Sequence, residues 1–380
     1  MSDAHRRYRA IERALLQSVP APTGQRARHF RTLVAMICGL VGAQCAQLSS
    51  IADQAPAPAA TQESLIMRFR RWLKHDRHTL TEWYLPFAAA LLARLAHKPL
   101  TIIMDGSVVG RGCVALMVSV VYHGRALPLA WIVVEGRKGH FPQEHHCALL
   151  SQIQPLIPAT AQVTVLGDGE FDGTGFQALI TGFGWQYVCR TATNIVITTA
   201  EDIRLQVGDL APERGDHRMV APAWMTEERY GPITLLTVWD SAYEAPLYLV
   251  TNMDDAEAAM NLYRQRAHIE TFFSDQKSRG FQIHRSHVGD PQRLSRLLIV
   301  ACLAYVWVVY LGVCVLRDNH LREIHRQDRC DLSLFRLGLR FLARCLKDGR
   351  ALPPGLIVPA ELPITLRRRW REKPHKSSVR

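Results

Sequence analysis

The spacing of hydrophobic residues changes near residue 99, from a helical period before it to a strand period after it. Helices are predicted over residues 4–17, 27–52 and 81–97, and residues 46–75 have the pattern helix, Pro/Ala-rich turn, helix. The first 98 residues are therefore predicted to form a helical region.

The second helix of the 46–75 unit combines an apolar side with a basic side that contains Arg68, Arg71 and Lys74. That pattern suits a helix-turn-helix unit whose second helix lies on DNA, with these three side chains as its contacts. A helical bundle with a solvated basic face fits the pattern equally well.

Residues 99–194 alternate between strands and helices. The segments "PLTIIMDGSVV" and "CVALMVSVVYHGRALPLAWIVVEG" supply three strands, and the last two are joined by a His-Gly-Arg hairpin turn at 123–125. A helix over 143–157, a strand over 161–171 and a further helix and strand follow. A meander of three strands followed by alternating helices and strands is the order of a ribonuclease-H-like sheet flanked by helices.

Short strands and turns over residues 195–256 interrupt this pattern, and helices resume at 255–278, 291–316 and 331–347. The predicted fold class is α/β: a ribonuclease-H-like mixed sheet flanked by helices, with an all-β insertion and an N-terminal helical domain. The predicted domains are a helical DNA-binding region 1–98, two parts of the core 99–194 and 257–347, a β-rich insertion 195–256 and a basic C-terminal tail 348–380.

Residues 297–316 form a run of 20 positions without a charged side chain. A run of that length can cross a membrane. A soluble protein can also build a fully buried central helix from the same residues. We favour the buried helix, with no membrane partner, because a long basic chain precedes the run and no second convincing span accompanies it.

The formal net charge of +12 is concentrated at the two ends of the chain. Residues 1–98 carry 14 Lys and Arg against 6 Asp and Glu, and residues 366–380 carry 7 against 1. Basic flanks on a near-neutral body favour a nucleic acid as the partner, and a solvated surface with a basic tail is the plainer alternative.

The nine cysteines are scattered without CxxC pairs, so their spacing predicts no zinc site and fits a reducing compartment. Residues 1–16 are polar and Arg-rich and lack the pattern of a signal peptide. We expect the protein in the cytoplasm.

Asp105 and Asp168 each follow an apolar strand and each precede a glycine. A carboxylate at such a position is costly unless a cation or hydrogen bonds compensate it, and strand ends are where sites form in α/β sheets. Taken singly, each aspartate is more often a turn or capping residue. Glu170 and Asp172 lie close by, either as supporting groups or, more simply, in a solvated loop.

Glu270 lies in the predicted helix 255–278 with Tyr263, Arg266 and Lys277 at offsets that place all four on one broad helix face. Two aspartates and this glutamate can hold two hard divalent cations, which stabilise the entering and leaving oxygens of a phosphoryl transfer. The basic and phenolic neighbours suit a DNA phosphate. A surface Arg–Glu pair is the structural alternative, but it leaves Tyr263 and Lys277 unexplained.

The segment "YRQRAHIETFFSDQK" resembles the Tyr-x2-Arg-x3-Glu-x6-Lys signature of bacterial DDE transposases of insertion sequence family four. "MDGS" at 104–107 and "LGDGEFDGTGF" at 166–176 resemble the family's first and second aspartate motifs, and Arg190 lies where such proteins often carry an arginine. The resemblance covers residues 30–345. One position departs from the pattern: many relatives carry tryptophan where this chain has Ala267.

The resemblance implies that Asp105, Asp168 and Glu270 are the catalytic, metal-binding triad and hold two Mg²⁺ ions, with Mn²⁺ as a substitute. It implies DNA phosphate contacts for the remaining signature residues, Tyr263, Arg266 and Lys277, and for Arg190. The implied activity is cleavage at transposon ends and transfer of the 3′-hydroxyl into target DNA, by a homodimer on terminal inverted repeats. The alternatives are a ribonuclease-H-like nuclease and an inactive remnant that acts as a DNA-binding regulator.

Overall fold

The computed structural model describes residues 1–56, 61–137, 141–240, 244–326 and 330–362. The helices are α1 Asp3–Leu16, α2 Gly24–Ala43, α3 Leu48–Gln54, α4 Gln62–Lys74, α5 Leu80–Trp83, α6 Leu85–Leu95, α7 Gln143–Ile153, α8 Thr174–Gly182, α9 Ala256–Tyr263, α10 His268–Gln276, α11 Pro291–Arg317, α12 Leu321–Ile324 and α13 Leu334–Lys347. The strands are β1 Leu100–Gly110, β2 Cys113–Tyr122, β3 Arg125–Glu135, β4 Val163–Gly167, β5 Gln186–Arg190, β6 Val196–Thr199, β7 Arg204–Gln206, β8 His217–Met225, β9 Tyr230–Val238 and β10 Leu247–Thr251.

The first five strands form the core of the sheet in the order β3-β2-β1-β4-β5. β1, β2 and β3 pair antiparallel as a meander, whereas β4 pairs parallel with both β1 and β5. Helices connect the parallel strands and cover the sheet. This is the ribonuclease-H-like arrangement, so the predicted α/β fold class is confirmed.

The β-rich residues 195–256 extend the same sheet. β10 pairs antiparallel with β5, and β9, β8, β6 and β7 follow it outward, which gives ten strands in the described residues. The predicted insertion is thus joined to the core through continuous backbone hydrogen bonding along β10.

The long helix α11 is the central helix of the core. All residues from Leu297 to Leu316 are buried, as expected for a core helix. Among the described residues, α11 is the one unbent helix with the length and apolarity of a membrane span. Its most apolar stretch is completely buried inside the protein. The α13 backbone comes close to it, because a Cβ at Gly312 would lie 1.9 Å from Leu334 O and one at Gly338 would lie 1.9 Å from Val308 O.

The N-terminal helices are attached to the core by specific polar contacts. The Tyr84 hydroxyl donates to the Pro128 carbonyl of β3 at 2.6 Å, and buried Arg296 of α11 donates to the Leu73 carbonyl at the end of α4 at 2.9 Å. α2 also packs directly on α11. These contacts fix the helical region against the α11 side of the sheet.

The single helix predicted over residues 27–52 is wrong, because the chain forms α2 and α3 there. Gln44 ends α2 in the left-handed region at φ 49°, and α3 folds back across α2. The close crossing depends on Gly39, where a Cβ would lie 2.1 Å from the Ile51 carbonyl oxygen.

The α3 and α4 helices correspond to the two helices of the predicted helix-turn-helix unit, and part of its turn, residues 57–60, lies outside the described residues. The basic run predicted in the tail, residues 366–380, also lies outside them.

Candidate active site

Asp105 and Asp168 are brought together by the register of two neighbouring parallel strands. Ile103 of β1 pairs with Leu166 of β4, and each aspartate lies two residues further along its own chain. Parallel strands lie about 4.8 Å apart, so the two carboxylates leave the same edge of the sheet side by side. Asp168 directly follows β4, as predicted for a strand end. The prediction that Asp105 ends its strand is wrong, because β1 continues to Gly110 beside β2. The two side chains meet where the parallel pairing of β1 with β4 ends.

Backbone N–H groups orient both aspartates. Gly106 N–H donates to Asp105 Oδ1 at 2.7 Å, and Glu170 N–H donates to Asp168 Oδ1 at 3.0 Å. The Asp105 side chain is only 18% exposed. A backbone N–H one or two residues further along the chain therefore orients each carboxylate, and each carboxylate keeps an oxygen available for a cation.

Glu270 comes to this edge from the first turn of α10, a helix that packs on β1. Arg266 connects it to the strand carboxylates, since Arg266 Nη2 donates to Glu270 Oε1 at 3.1 Å and Nη1 lies 3.7 Å from Asp105 Oδ2. The side chains of Asp105 and Glu270, more than 160 positions apart in the sequence, thus both contact the Arg266 guanidinium.

The ionised form of Asp105 is disfavoured in this arrangement. Burial, followed by the charge of Asp168 and then that of Glu270, raises the pKa of Asp105 to about 7, against the lowering effects of Arg266 and the Gly106 N–H. A group of buried, mutually repelling carboxylates binds a divalent cation favourably, because the cation removes that repulsion.

The donor set fits hard divalent cations. Carboxylate oxygens are the ligands that Mg²⁺ and similar ions prefer in proteins. In the part of the chain that the structure describes, the one set of three His, Cys, Asp or Glu whose ligand atoms all lie within 4.8 Å of one another is a histidine set in the helical region. The three carboxylates are more widely spread, and Arg266 lies between Asp105 and Glu270.

The continuous helix predicted over 255–278 is wrong, because the signature segment is broken into α9, a 3-10 turn at Arg264–Ala267 and α10. A 3-10 turn has three residues per turn, so the offsets on one regular helix face do not apply. The helix also ends before Lys277, which has φ −99° and ψ −114°. The chain turns there because the N–H groups of Phe281 and Gln282 bond back to the carbonyls of Asp275 and Lys277.

Lys277 nevertheless reaches the site. Its Nζ donates to Ser107 Oγ at 2.7 Å, and Ser107 lies on β1 two residues after Asp105. Burial lowers the pKa of Lys277, and the charge of Asp105 opposes that shift. The ammonium group therefore lies beside the first aspartate.

Tyr263 and Arg190 lie on the other side of Asp168. The register pairs Gly167 with Cys189, so the next residues along the two strands, Asp168 and Arg190, are neighbours. Tyr263 is 8% exposed, and burial raises its pKa to about 12, opposed by the charges of Arg266 and Arg190. Its phenol stays protonated at neutral pH and is available as a hydrogen-bond donor.

Glu170 was expected in a solvated loop or as a supporting group, and the structure excludes the solvated loop. Its carboxylate is 13% exposed, accepts the Phe141 N–H and lies 3.3 Å from His146 Nε2. The Phe141 ring covers Gly106 at the first aspartate, where a Cβ would lie 3.0 Å from the ring. Glu170 therefore supports the walls of the site, and no local signal identifies it because its partners lie 24 and 29 residues earlier.

The three basic residues predicted to contact DNA from the helical region, Arg68, Arg71 and Lys74, do not belong to the carboxylate cluster. All three are exposed along α4, whose opposite face buries Leu65 and Phe69. They form a second, separate basic surface.

The family comparison matches this same core. Residues 88–307, more than half of the chain, match the family model described as the transposase DDE domain. The chain belongs to this transposase family. By family it is therefore a DNA transposase, an enzyme class that acts on DNA and generally uses divalent metal ions.

The other comparisons do not add to the family assignment. No curated protein matches the chain. A solved structure with a similar trace is the cryo-EM structure of a piggyBac transposase synaptic complex with hairpin DNA, at 11% identity and a TM-score of 0.47, over 92% of this chain and 82% of that chain. The family assignment rests on the sequence match to the DDE domain.

Proposed function

We propose that this protein is a cut-and-paste transposase of insertion sequence family four, which hydrolyses one strand at each transposon end and joins the freed 3′-hydroxyl to target DNA. The observation that carries the proposal is the meeting of Asp105 and Asp168, from neighbouring parallel strands, with Glu270 and Arg266 at one edge of a ribonuclease-H-like sheet. The family match and the signature spacing support the same assignment.

Asp105, Asp168 and Glu270 would hold two Mg²⁺ ions, or Mn²⁺ in their place. When bound, such ions generate a nucleophile from water or a 3′-hydroxyl and stabilise the charge of the phosphoryl transfer. The raised pKa of Asp105 supports this role, because a carboxylate that is costly to ionise alone gains most from a cation.

Arg266, Lys277, Arg190 and Tyr263 would bind the scissile DNA phosphate and its neighbours. Arg266 supplies planar paired donors suited to a phosphate, and Lys277 supplies a point charge beside the first aspartate. Because Tyr263 remains a neutral donor, it adds a hydrogen bond without a further charge. These four groups orient the backbone, and they carry no base specificity.

The exposed face of α4, with Arg68, Arg71 and Lys74, would lie on the terminal inverted repeat. Two copies of the chain would pair the two ends in a synaptic complex, in the cytoplasm and on the nucleoid. The domain boundaries at 98, 194, 256 and 347 remain our proposed division of these tasks.

The test is a combined cleavage and joining assay on duplexes that carry the DNA flanking the gene, with supercoiled plasmid as target and Mg²⁺ present. The wild-type protein should cut at a defined end and insert that end into the plasmid. Asp105→Asn and Glu270→Gln should each lower both steps at least about a thousandfold. The matched control Asp254→Asn removes an exposed carboxylate from the same chain and should leave both steps unchanged.

Three results would overturn the proposal. Cutting without joining identifies a nuclease, and end binding that survives with neither step in the wild-type protein identifies a DNA-binding regulator. Equal activity of Asp105→Asn and Asp254→Asn would show that the carboxylate cluster is only structural.

A further inference from the structure

Three histidines from separate parts of the helical region form a compact cluster. His29 lies on α2, His75 caps the end of α4, and His78 lies in the following loop. Their ring centroids are 4.5 to 4.8 Å apart, and one ligand nitrogen from each lies within 4.8 Å of the other two. No local sequence pattern indicates this cluster, because His29 is separated from the other two histidines by more than 40 residues.

The described hydrogen bonds of His75 and His78 leave at least one nitrogen of each ring available. His78 Nδ1 lies 2.8 Å from the Trp72 carbonyl, so Nδ1 carries the proton and Nε2 keeps its lone pair. A histidine that ligates a metal commonly donates its other N–H to a backbone carbonyl in this way. His75 Nδ1 is buried and has no hydrogen-bond partner within the described residues.

The charged forms of His29 and His78 are disfavoured in this cluster. Burial lowers the pKa of His78 to about 4, reinforced by His29, His75 and Arg296 and opposed by the hydrogen bond to Trp72. Burial and His75 also lower the pKa of His29, opposed by Glu82. Neutral imidazole is the protonation state that a metal ion requires.

We propose that His29, His75 and His78 form a binding site for a first-row divalent transition metal of the Zn²⁺ class. Imidazole nitrogen is a preferred ligand of these ions, whereas Mg²⁺ selects oxygen. Zn–N bonds of about 2.1 Å in a tetrahedral site place ligand nitrogens roughly 3.3 Å apart, so the nitrogens must close by at most roughly 1.5 Å. His75 and His78 are stacked at an interplanar angle of 17°, so metal binding also requires one of these rings to rotate out of the stack. Water fills the fourth position.

The metal would connect the first turns of α2 to the end of α4. α4 otherwise meets this region through packing and through the Trp72 indole, which donates to the His29 carbonyl at 3.1 Å. A metal joining the two helices fixes the direction in which α4 presents its exposed basic face. This structural site is separate from the carboxylate cluster, and its existence does not depend on the proposed transposition activity.

The test uses the full-length protein, stripped with a chelator and then titrated with Co²⁺ in excess Mg²⁺. The background is the Asp105→Asn, Asp168→Asn double variant, so that the carboxylates do not contribute a second Co²⁺ site. The expected result is one equivalent of Co²⁺ with the visible absorption of a four-coordinate nitrogen site and no near-ultraviolet thiolate band. The thiolate band matters because Cys45 and Cys147 are only half-buried.

His75→Gln changes a half-exposed ligand and should weaken binding at least tenfold, and His29→Gln should do the same. The matched control His97→Gln alters an exposed histidine of the same region and should bind as the parent does. Zn²⁺ should raise the Tm of the parent and of His97→Gln, but not of His75→Gln. Circular dichroism checks that each variant is folded.

The proposal is overturned if the folded parent takes up no Co²⁺, or if both His75→Gln and His29→Gln bind it as tightly as His97→Gln. Either result would mean that the three rings form a packed aromatic cluster with Trp72 and nothing more. Strand transfer by the wild-type protein is measured separately, so failure of this site and failure of the proposed function remain distinguishable.

Discussion

At the scale of residues, Asp105 shows how a functional group reduces the stability of the fold that holds it. Burial, and then the charges of Asp168 and Glu270, oppose its ionisation and raise its pKa, and Arg266 only partly offsets them. Asp105, Asp168 and Glu270 could be singled out from the sequence because each belongs to a short motif of neighbouring residues. The support from Glu170 could not, since it depends on a contact with His146 of a different helix.

Asp105→Asn should stabilise the cation-free protein at pH 8. The folded pKa of about 7 lies above the ordinary value of 3.8, so this group makes the fold progressively less stable as pH rises from about 4 through 7. Removing the charge should recover about 2 kcal/mol of the free energy of unfolding at pH 8, and almost nothing below pH 4. Urea unfolding with a chelator measures this, with Asp254→Asn as the control. A variant that is less stable than the wild type at pH 8 contradicts the explanation.

At the scale of elements, the sequence predicts the presence of strands and helices better than the positions at which a helix breaks. β1 and β4 follow from apolar runs that end in aspartate. The break between α2 and α3 depends on a contact between the two helices, the packing of Ile51 on Gly39. Apolar periodicity records which face is buried, and it does not record where a neighbouring backbone comes close.

Gly338→Ala should destabilise the protein, because the new methyl group would collide with the α11 backbone at Val308 O, 1.9 Å away. The cost of such overpacking is typically about 2 kcal/mol. The control is Gly182→Ala, at the end of α8, where a Cβ meets nothing within 4 Å. Thermal unfolding should separate the two variants, and equal Tm values would mean that the helix crossing adapts freely.

The α4 surface gives a prediction about DNA affinity. Arg71→Gln should weaken binding to end-bearing duplex and lower the slope of log affinity against log salt concentration by about one, because one phosphate contact is lost. Arg94→Gln removes an exposed arginine of α6 and serves as the control. Titrations by fluorescence anisotropy at several salt concentrations measure both slopes. Identical slopes for the two variants would favour the plain solvated face over a DNA contact.

At the scale of the whole molecule, the ten strands of the described residues form one sheet, and this sheet and the buried helix α11 support the site. The 195–256 segment was predicted as a separate β insertion from its short strands, but its attachment along β10 and β5 depends on pairing across more than 50 residues. The apolar run at 297–316 became the interior of the protein, where α2, α4, α13 and β3 enclose it. Sequence composition alone left that choice open, because a core helix and a membrane span have the same composition.

The most direct test of the account is a metal-specificity exchange at the carboxylates. Asp105→Cys and Glu270→Cys replace a hard oxygen ligand with a softer thiolate, which Mn²⁺ accepts better than Mg²⁺. Strand cleavage by both variants should be lost in Mg²⁺ and partly recovered in Mn²⁺, whereas Asp254→Cys should match the wild type in either metal. Cleavage that is insensitive to both exchanges, or lost equally in the two metals, would contradict cation binding by these side chains.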